Sequence, residues 1–598
     1  MYKEKPTITN GFNQKKVTVK HQVVGGKSKI IPYPEYMLLK DGVYKKEEQE
    51  DGKNKISYVC DFIDITEQAM KMETNHCLLT LVYRLPNEET LHKKEVYADQ
   101  ISDISKISSF SKYGFNIHSY NKGDVLKHLQ NCRAKLPISY KHSSLGFDLI
   151  NGEVVFKHYK MFGPNLKVES VYDGELTIAP KGSFEQWSDL IKKEVLGHTP
   201  LELAVVMGLT SATCGFISKE LSLENIVINL FNDSSTGKTT ASQLAASVFG
   251  SPVLKDNGLV MSWNSTFNAM QNKIAGNTGV VVVFDEASMS RNDDFSKAIY
   301  SLAEGKETAR MDKEGTVKKS SVWNTLLIST AEKSLFESSN NNSGLRVRLI
   351  EFGNVVWTKS AQNSDEIKRV ISANYGHAGP LYAQYLMKLG KKKVAEGILR
   401  CQSLIRQKLP NSDLSDRVSM KLALLLFTAE LSNQRFKWNL NIEKMTEFLA
   451  KNESDKLKVG DIAQQALERV FAYISIKIEH FDREFKTKAN KTSGNDYIKA
   501  SHGDVWGKII YVASQTQGSP THDSMYEVMV NKEIMDKILK DLNYESPNVV
   551  IKKWKQKGWL NTEKGKTYRK RVLNRIVATF IVFDLKNIDP LALISVGD

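Results

Sequence analysis

The stretch Asn225-Ile-Val-Ile-Asn-Leu-Phe-Asn232-Asp-Ser-Ser-Thr-Gly237-Lys238-Thr239-Thr240 decides how the rest of the chain is read. Its opening apolar run is short and ends in a polar turn, which predicts a buried strand. Residues 241–249, which follow, carry an amphipathic helical pattern. Strand, tight loop and helix N-terminus in that order are the setting a phosphate-binding loop requires. Amides of the segment Ser234, Ser235, Thr236, Gly237 and the helix start at Thr240 attract phosphate oxygens, Lys238 neutralises the β and γ groups, and the Thr239 hydroxyl ligates Mg²⁺. The strict pattern places Gly five positions before Gly237. Asn232 stands there instead, a residue that tolerates left-handed backbone better than most. Taken alone, Gly-Lys-Thr after small polar residues also fits a loop with a helix cap.

A second stretch supports the first. Gly279-Val-Val-Val-Val-Phe-Asp285-Glu286 is an unbroken apolar run ending in two acids, the pattern of a parallel strand buried on both faces. Asp285 is placed to hold the Mg²⁺ shell and Glu286 to polarise an attacking water. A core strand with a solvated acidic turn is the alternative. A further strand, Asn324-Thr-Leu-Leu-Ile-Ser329-Thr330, ends in two hydroxyls suited to aligning that water, although strands often end in Ser or Thr for turn formation alone. In Gly344-Leu-Arg346-Val-Arg348-Leu-Ile-Glu-Phe, period-two spacing predicts both arginines on one face of a strand, either as a finger reaching a neighbouring γ-phosphate or as surface ion pairs.

Working outward, 598 residues exceed what one core supports and predict several domains. Apolar residues at 41% and charged residues at 25% are ordinary for a folded globular chain. A net charge of +15 and a pI near 9.2 make a polyanionic partner plausible, with DNA first, although many basic proteins bind no nucleic acid. The five cysteines are scattered without a CxxC pair, which predicts buried thiols in a reducing cytoplasm and no zinc or disulfide framework. No export leader and no apolar run of about 18 residues is expected, hence no membrane partner.

The expected fold class is α/β and multidomain: a P-loop ATPase core, a mixed α+β N-terminal region and a C-terminal winged helix. Residues 1–185 form the N-terminal region, with 1–55 a loose lead-in and a helix over 124–132. Residues 186–363 form the core with preceding helices, 364–500 a helical lid with connecting helices, and 501–598 the winged helix. The lid includes a helix over 415–431. Arg310-Met-Asp-Lys313-Glu-Gly315-Thr-Val-Lys318-Lys319 has two short arms about a Glu-Gly turn, a hairpin signal that also fits a solvated surface loop. Helices are expected over 528–539 and 547–556, followed by a ribbon ending in a strand over 575–583. Lys552, Lys553, Lys555 and Lys557, with Arg569, Lys570 and Arg571, supply the basic charge of a DNA contact, though such domains also dock proteins.

These residues resemble a known family. Ser234-Ser-Thr-Gly-Lys-Thr-Thr, Ala245-Ala-Ser-Val-Phe-Gly-Ser-Pro, Asp285-Glu-Ala, Gly305-Lys-Glu-Thr-Ala-Arg310, Trp323 and Ser329-Thr-Ala-Glu332 are similar to the DUF927 family of mobile-element ATPases. More narrowly, the chain resembles the MCM-like replicative helicases of staphylococcal cassette chromosomes, most closely over residues 225–352. The resemblance implies an AAA+ motor, a homohexameric ring on single-stranded and forked DNA, and ATP with Mg²⁺ bound between subunits. Other replication proteins of the same element are implied partners. It implies Arg348 as the finger given to a neighbour, with Arg346 as runner-up, and Arg417 as a second sensor. The hairpin carrying Lys313, Lys318 and Lys319 would then enter the ring channel and track phosphates. Asn232 departs from the family's usual Gly, and Ala331 stands where Gly is common. Three functions compete: an ATP-driven helicase, a loader or initiator without processive unwinding, and an ATP-gated DNA-binding scaffold. The lytic acid Glu286 disfavours the third.

Overall fold

The computed structural model describes residues 35–588 apart from 87, 290–294, 308–309, 312–316, 319–320, 337–342, 412–413, 460–461, 487–495, 502, 513–523 and 545. The described chain separates into two compact units. One comprises residues up to 144 together with 164–174, and the other comprises 145–163 and everything from 175 onward. The first boundary therefore falls near 144 rather than 185.

In the first unit, a five-stranded sheet runs in the order Ser170–Tyr172, Ile138–His142, Ile63–Lys71, Cys77–Tyr83, His92–Tyr97. Alternation along Ile63 and Ile65, and along Leu79 and Leu81, turns one face inward against the helix Lys122–Ala134, whose Val125 and Leu129 are fully buried. The lead-in expectation needs correcting. Residues 35–55 carry two strands and the start of a third, paired as Glu35–Leu38, Val43–Glu48 and Asn54–Cys60, because Val43 and Val59 enter the same core. Residues 1–34 lie outside the described residues.

The second unit is built on a parallel sheet in the order Val260–Ser262, Val282–Asp285, Leu326–Ala331, Ile226–Phe231, Leu349–Gly353. Its central strands are buried on both faces, mostly by apolar side chains, with Asn229 tied to Glu351 of the next strand at 2.7 Å, and leave the strand ends open to the surface. Residues 277–278, just before the acid strand, join a separate sheet with Leu145–Ile150. Gly146 permits that crossing, since a Cβ there would meet the Thr278 carbonyl at 1.8 Å.

Beneath the sheet lies the helix Thr199–Leu221, buried at every residue over 201–218. It is long and apolar enough to cross a membrane, so the expectation that no apolar run reaches that length is corrected; here its apolar window is wholly enclosed by protein, as in a core helix. Its hydroxyls are satisfied internally, for Thr213 Oγ1 bonds Tyr382 Oη at 3.0 Å and Thr428 Oγ1 at 2.8 Å. These partners lie on helices Ala378–Leu389 and Ser415–Phe436 of a helical layer that continues through Ile442–Val459. All five cysteines are free thiols, with Cys60, Cys214 and Cys401 buried and Cys77 and Cys132 partly so.

The C-terminal domain begins with helix Ile462–Ile476 rather than at 501, because Ala463, Ala466, Leu467 and Val470 belong to its core. The Trp554 indole donates to the Ala463 carbonyl at 2.7 Å and locks that helix to Pro547–Gln556. The helix expected over 528–539 starts later. Ser524–Asn531 is a strand pairing on both sides, and the Asn531 side chain caps the helix Lys532–Asp541 by accepting from Glu533 N. Arg569–Leu573 and Ile576–Asp584 form the predicted hairpin at one edge of a six-stranded sheet.

Candidate functional site

The strand Ile226–Phe231 ends between two neighbours and releases the chain into a turn above the sheet. Left-handed backbone there falls on Ser235 (φ 69°) and Gly237 (φ 83°), not on Asn232. Asn232 serves otherwise: its side-chain oxygen accepts from Asp233 N at 2.9 Å and its amide donates to the Val355 carbonyl at 3.4 Å. Gly237 then precedes the helix Lys238–Ser247 as its N-cap, leaving backbone amides and the positive helix end directed at the cavity. The Lys238 ammonium donates at 2.7 Å to each of the Asn232 and Asp233 carbonyls. Burial holds its pKa below the ordinary lysine value, against the pull of Glu332, Asp233, Glu286 and Asp285.

Asp285 closes the adjacent acid strand, and one hydroxyl ties the two acids together. Thr330 Oγ1 donates to Asp285 Oδ1 at 2.6 Å and accepts from the Glu286 backbone N–H at 2.8 Å. Glu286 is held at φ 63°, a left-handed conformation that a residue with a Cβ adopts at a cost. Of the two hydroxyls expected at the end of the sensor strand, only Thr330 reaches the site. Strand alternation turns Ser329 inward, where its Oγ accepts from the Trp263 indole at 3.0 Å.

Together these elements line a cavity of about 520 Å³. Ser234, Ser235, Thr236, Gly237, Lys238, Thr239, Thr240, Asp285, Glu286 and Thr330 all border it. The far wall consists of residues missed in the sequence: Val356, Thr358, Lys359, Ser360, Ser364, Asp365 and Lys368. This wall is fixed to the loop and helix start over residues 236–240. Trp357 N donates to the Thr236 carbonyl at 2.8 Å, and Thr240 Oγ1 bonds Ser364 Oγ at 2.6 Å. Ser360 caps helix Ala361–Ala373 by accepting from Asn363 N, a signature that announces a helix start but not its neighbour.

The cavity suits a nucleoside triphosphate in size and charge, with amides, a lysine and a helix end at one side and two acids opposite. Among the described residues no cluster of three His, Cys, Asp or Glu could hold a metal alone. Thr239 and Asp285 both border the cavity, and a hydroxyl with one carboxylate is the donor set that Mg²⁺ uses when phosphates complete its shell.

The arginines lie apart. Arg346 ends a short helix, Ser343–Arg346, and Arg348 precedes the strand Leu349–Gly353, so the two do not share a strand face as period-two spacing predicted. The helical turn breaks the alternation. The Arg348 guanidinium donates to the Gly344 carbonyl at 3.1 Å, pairs with Glu224 at 3.2 Å and stacks over Tyr300. Arg417 is exposed in the first turn of helix Ser415–Phe436 and does not border the cavity. Arg310–Met311 and Val317–Lys318 pair as the expected hairpin, with Lys318 opposite Arg310, whereas Lys313 and Lys319 lie outside the described residues. In the C-terminal domain Lys552, Lys557 and Lys570 are exposed. Lys553, Lys555 and Arg571 are partly exposed, and Arg569 bonds Asn561.

Residues 36–322 match the family described as Domain of unknown function (DUF927), and residues 461–587 match the Cch helix turn helix domain. The particular likeness is to a solved structure described as "SCCmec type IV Cch - active helicase". The TM-score is 0.70 at 22% identity, covering 93% of this chain and 99% of that one. At that identity the likeness establishes a shared fold. An apo structure of the NrS-1 C-terminal region aligns with a TM-score of only 0.24 at 10% identity, over 65% of this chain and 90% of that one. No curated protein matches the chain.

Proposed function

We propose that the protein is an ATP-dependent DNA helicase of the MCM-like AAA+ class, working in the cytoplasm as a homohexameric ring on single-stranded and forked DNA during replication of a mobile element. The observation that carries this reading is the meeting, in one cavity, of Lys238, Thr239, Asp285 and Glu286 with Thr330 bridging the acids. The fold shared with Cch, a protein described as an active helicase, supports extending it from ATPase to helicase.

In this reading Lys238 leaves its two carbonyl partners for the β and γ oxygens of ATP, while the loop amides hold the phosphate chain. Thr239 and Asp285 hold Mg²⁺, which supplies charge neutralisation across the phosphates. Glu286 accepts a proton from the attacking water, and Thr330 keeps its peptide in place. Arg348, with Arg346 as runner-up and Arg417 as second sensor, would act on a neighbouring subunit's nucleotide. The hairpin containing Lys313, Lys318 and Lys319 would grip the translocated strand. The C-terminal helices with Lys552, Lys553, Lys555 and Lys557 would add affinity for duplex. The test is unwinding of a forked duplex with ATP, with a non-hydrolysable analogue, and with Glu286→Gln. Strand displacement only by the wild type with ATP is expected; hydrolysis without displacement would overturn the helicase reading.

A further inference from the structure

The tip of the C-terminal hairpin is unusual for a surface in water. Val572, Ile576 and Val577 are 64%, 68% and 66% exposed, although each is aliphatic. The turn between them, Asn574 (φ 52°) and Arg575 (φ 64°), has two left-handed residues in succession, the geometry of a tight two-residue hairpin. It places them at the hairpin's end, Val572 and Val577 on one face and Ile576 on the other. Val572 pairs directly with Val577, and Leu573 with Ile576. The face of Ile576 is anchored nearby, with Leu573 and Ala578 packed against Met529, Phe580 and Val582.

Over residues 569–577 every charged side chain is basic. Lys570 shares the face of Val572 by strand alternation, Arg575 sits in the turn, and Arg571 occupies the opposite face. An apolar tip framed by cations complements a polyanion with an apolar interior, which describes stacked bases between phosphate rails. Proteins that kink duplex DNA insert side chains of this kind between base steps while cations hold the flanking phosphates.

We propose that Val572, Ile576 and Val577 form an apolar wedge that enters a base step of double-stranded DNA, with Lys570, Arg571 and Arg575 on the adjacent phosphates. This rests on the reading of the C-terminal domain as a DNA-binding module and adds to it a mode of contact. The wedge unstacks one step at the site of engagement.

Salt dependence separates the two kinds of contact, since only phosphate contacts release counterions. The experiment uses the full chain and a duplex carrying 2-aminopurine, with affinity measured across a salt series. Val572→Ser/Ile576→Ser/Val577→Ser should weaken duplex binding about tenfold or more at every salt concentration with an unchanged slope, and should abolish the 2-aminopurine fluorescence increase. Lys570→Ala/Arg571→Ala should instead flatten the slope by roughly two. Wild-type affinity and fluorescence in the triple serine variant would overturn the wedge while leaving the DNA-binding reading intact. Absence of duplex binding by the wild type would overturn both. Concentration-dependent self-association abolished by the serines, with duplex binding unchanged, would overturn the wedge in favour of hairpin pairing between copies.

Discussion

Thr330→Val removes one oxygen at the point where the two acids meet. The wild-type hydroxyl has one proton, spent on Asp285 at 2.6 Å, and it accepts the Glu286 N–H at 2.8 Å. It therefore has no proton left for a water or phosphate. Its effect on turnover has to pass through the acids. A hydrogen bond to a charged group contributes about 1.5–3 kcal/mol, and an N–H deprived of its acceptor costs about 1–3 kcal/mol where water cannot replace it. The left-handed Glu286 peptide, which carries about 1–2 kcal/mol of its own strain, is then free to relax away. If half of the two hydrogen-bond losses appears in the transition state, kcat falls roughly 10- to 150-fold. Nucleotide affinity should change little, because Lys238 and the loop amides are untouched. Thr330→Ser keeps the hydroxyl and should retain most of the activity. The assay pairs steady-state ATPase with equilibrium binding of a fluorescent nucleotide. A Thr330→Val enzyme with wild-type turnover, or one in which serine fails as badly as valine, would refute the reasoning.

Glu286→Gln should bind ATP normally and lose turnover, whereas Lys238→Ala should lose both; titration with labelled nucleotide and a phosphate-release assay distinguish them. Mixing Arg348→Ala subunits with Lys238→Ala subunits should restore part of the ATPase if the finger acts in trans, and mixed rings without any rescue would exclude Arg348. Lys421 is buried and donates long hydrogen bonds to the Asn225 and Arg348 carbonyls, and burial pushes its pKa down to about 8 against the pull of Glu224. Because the unfolded lysine binds its proton more tightly, wild-type stability should rise between about pH 8 and 10.5, by roughly 3 kcal/mol at most. Lys421→Met should lack that slope in denaturant titrations, and parallel curves for the two proteins would contradict the assignment. Lys318→Ala/Lys319→Ala should keep DNA-independent ATPase and lose unwinding; a fork unwound at the wild-type rate would reduce the hairpin to a surface loop.

Where local chemistry dictates structure, the sequence was a good guide. The strand Ile226–Phe231, the acid strand and helix Pro547–Gln556 are set by largely apolar runs or by a proline at a helix start, and they stand where the residues placed them. The far wall of the cavity was not legible, because residues 356–368 reach the loop after Ile226–Phe231 only through the order of strands in the sheet. Ser329 and Thr330 are indistinguishable as letters, and only the direction of the pleat sends one hydroxyl to Trp263 and the other to Asp285. Arg346 and Arg348 were misread for a related reason. Period-two spacing assumes a strand, and the four residues Ser343–Arg346 wind into a helical turn before it starts. Over residues 528–530, strand pairing on both sides outweighs helical spacing, a tertiary effect that no local pattern contains.

The cations of the cavity bear on how hydrolysis would be completed. Lys238, Lys359 and Lys368 border it, and no arginine does among the described residues. Lysine is a point charge on a flexible stem, whereas a planar guanidinium matches the spread charge of a transferring phosphoryl group at two oxygens. If the cavity binds ATP as proposed, its own lining would supply binding and water activation but no guanidinium, which the ring reading would take from a neighbouring subunit. Arg348 is anchored for such a role at its base, since its carbonyl accepts from Lys421, yet its guanidinium is engaged with Glu224, Tyr300 and the Gly344 carbonyl. To reach a neighbour it must exchange these partners for phosphate oxygens. The Glu224 pair, with that carboxylate 47% exposed, is the weakest of them, because exposed ion pairs contribute about 0–1 kcal/mol. Charge-assisted contacts to a phosphate exceed that figure, so under the ring reading Glu224 is the partner of Arg348 that a neighbour's nucleotide would displace most readily.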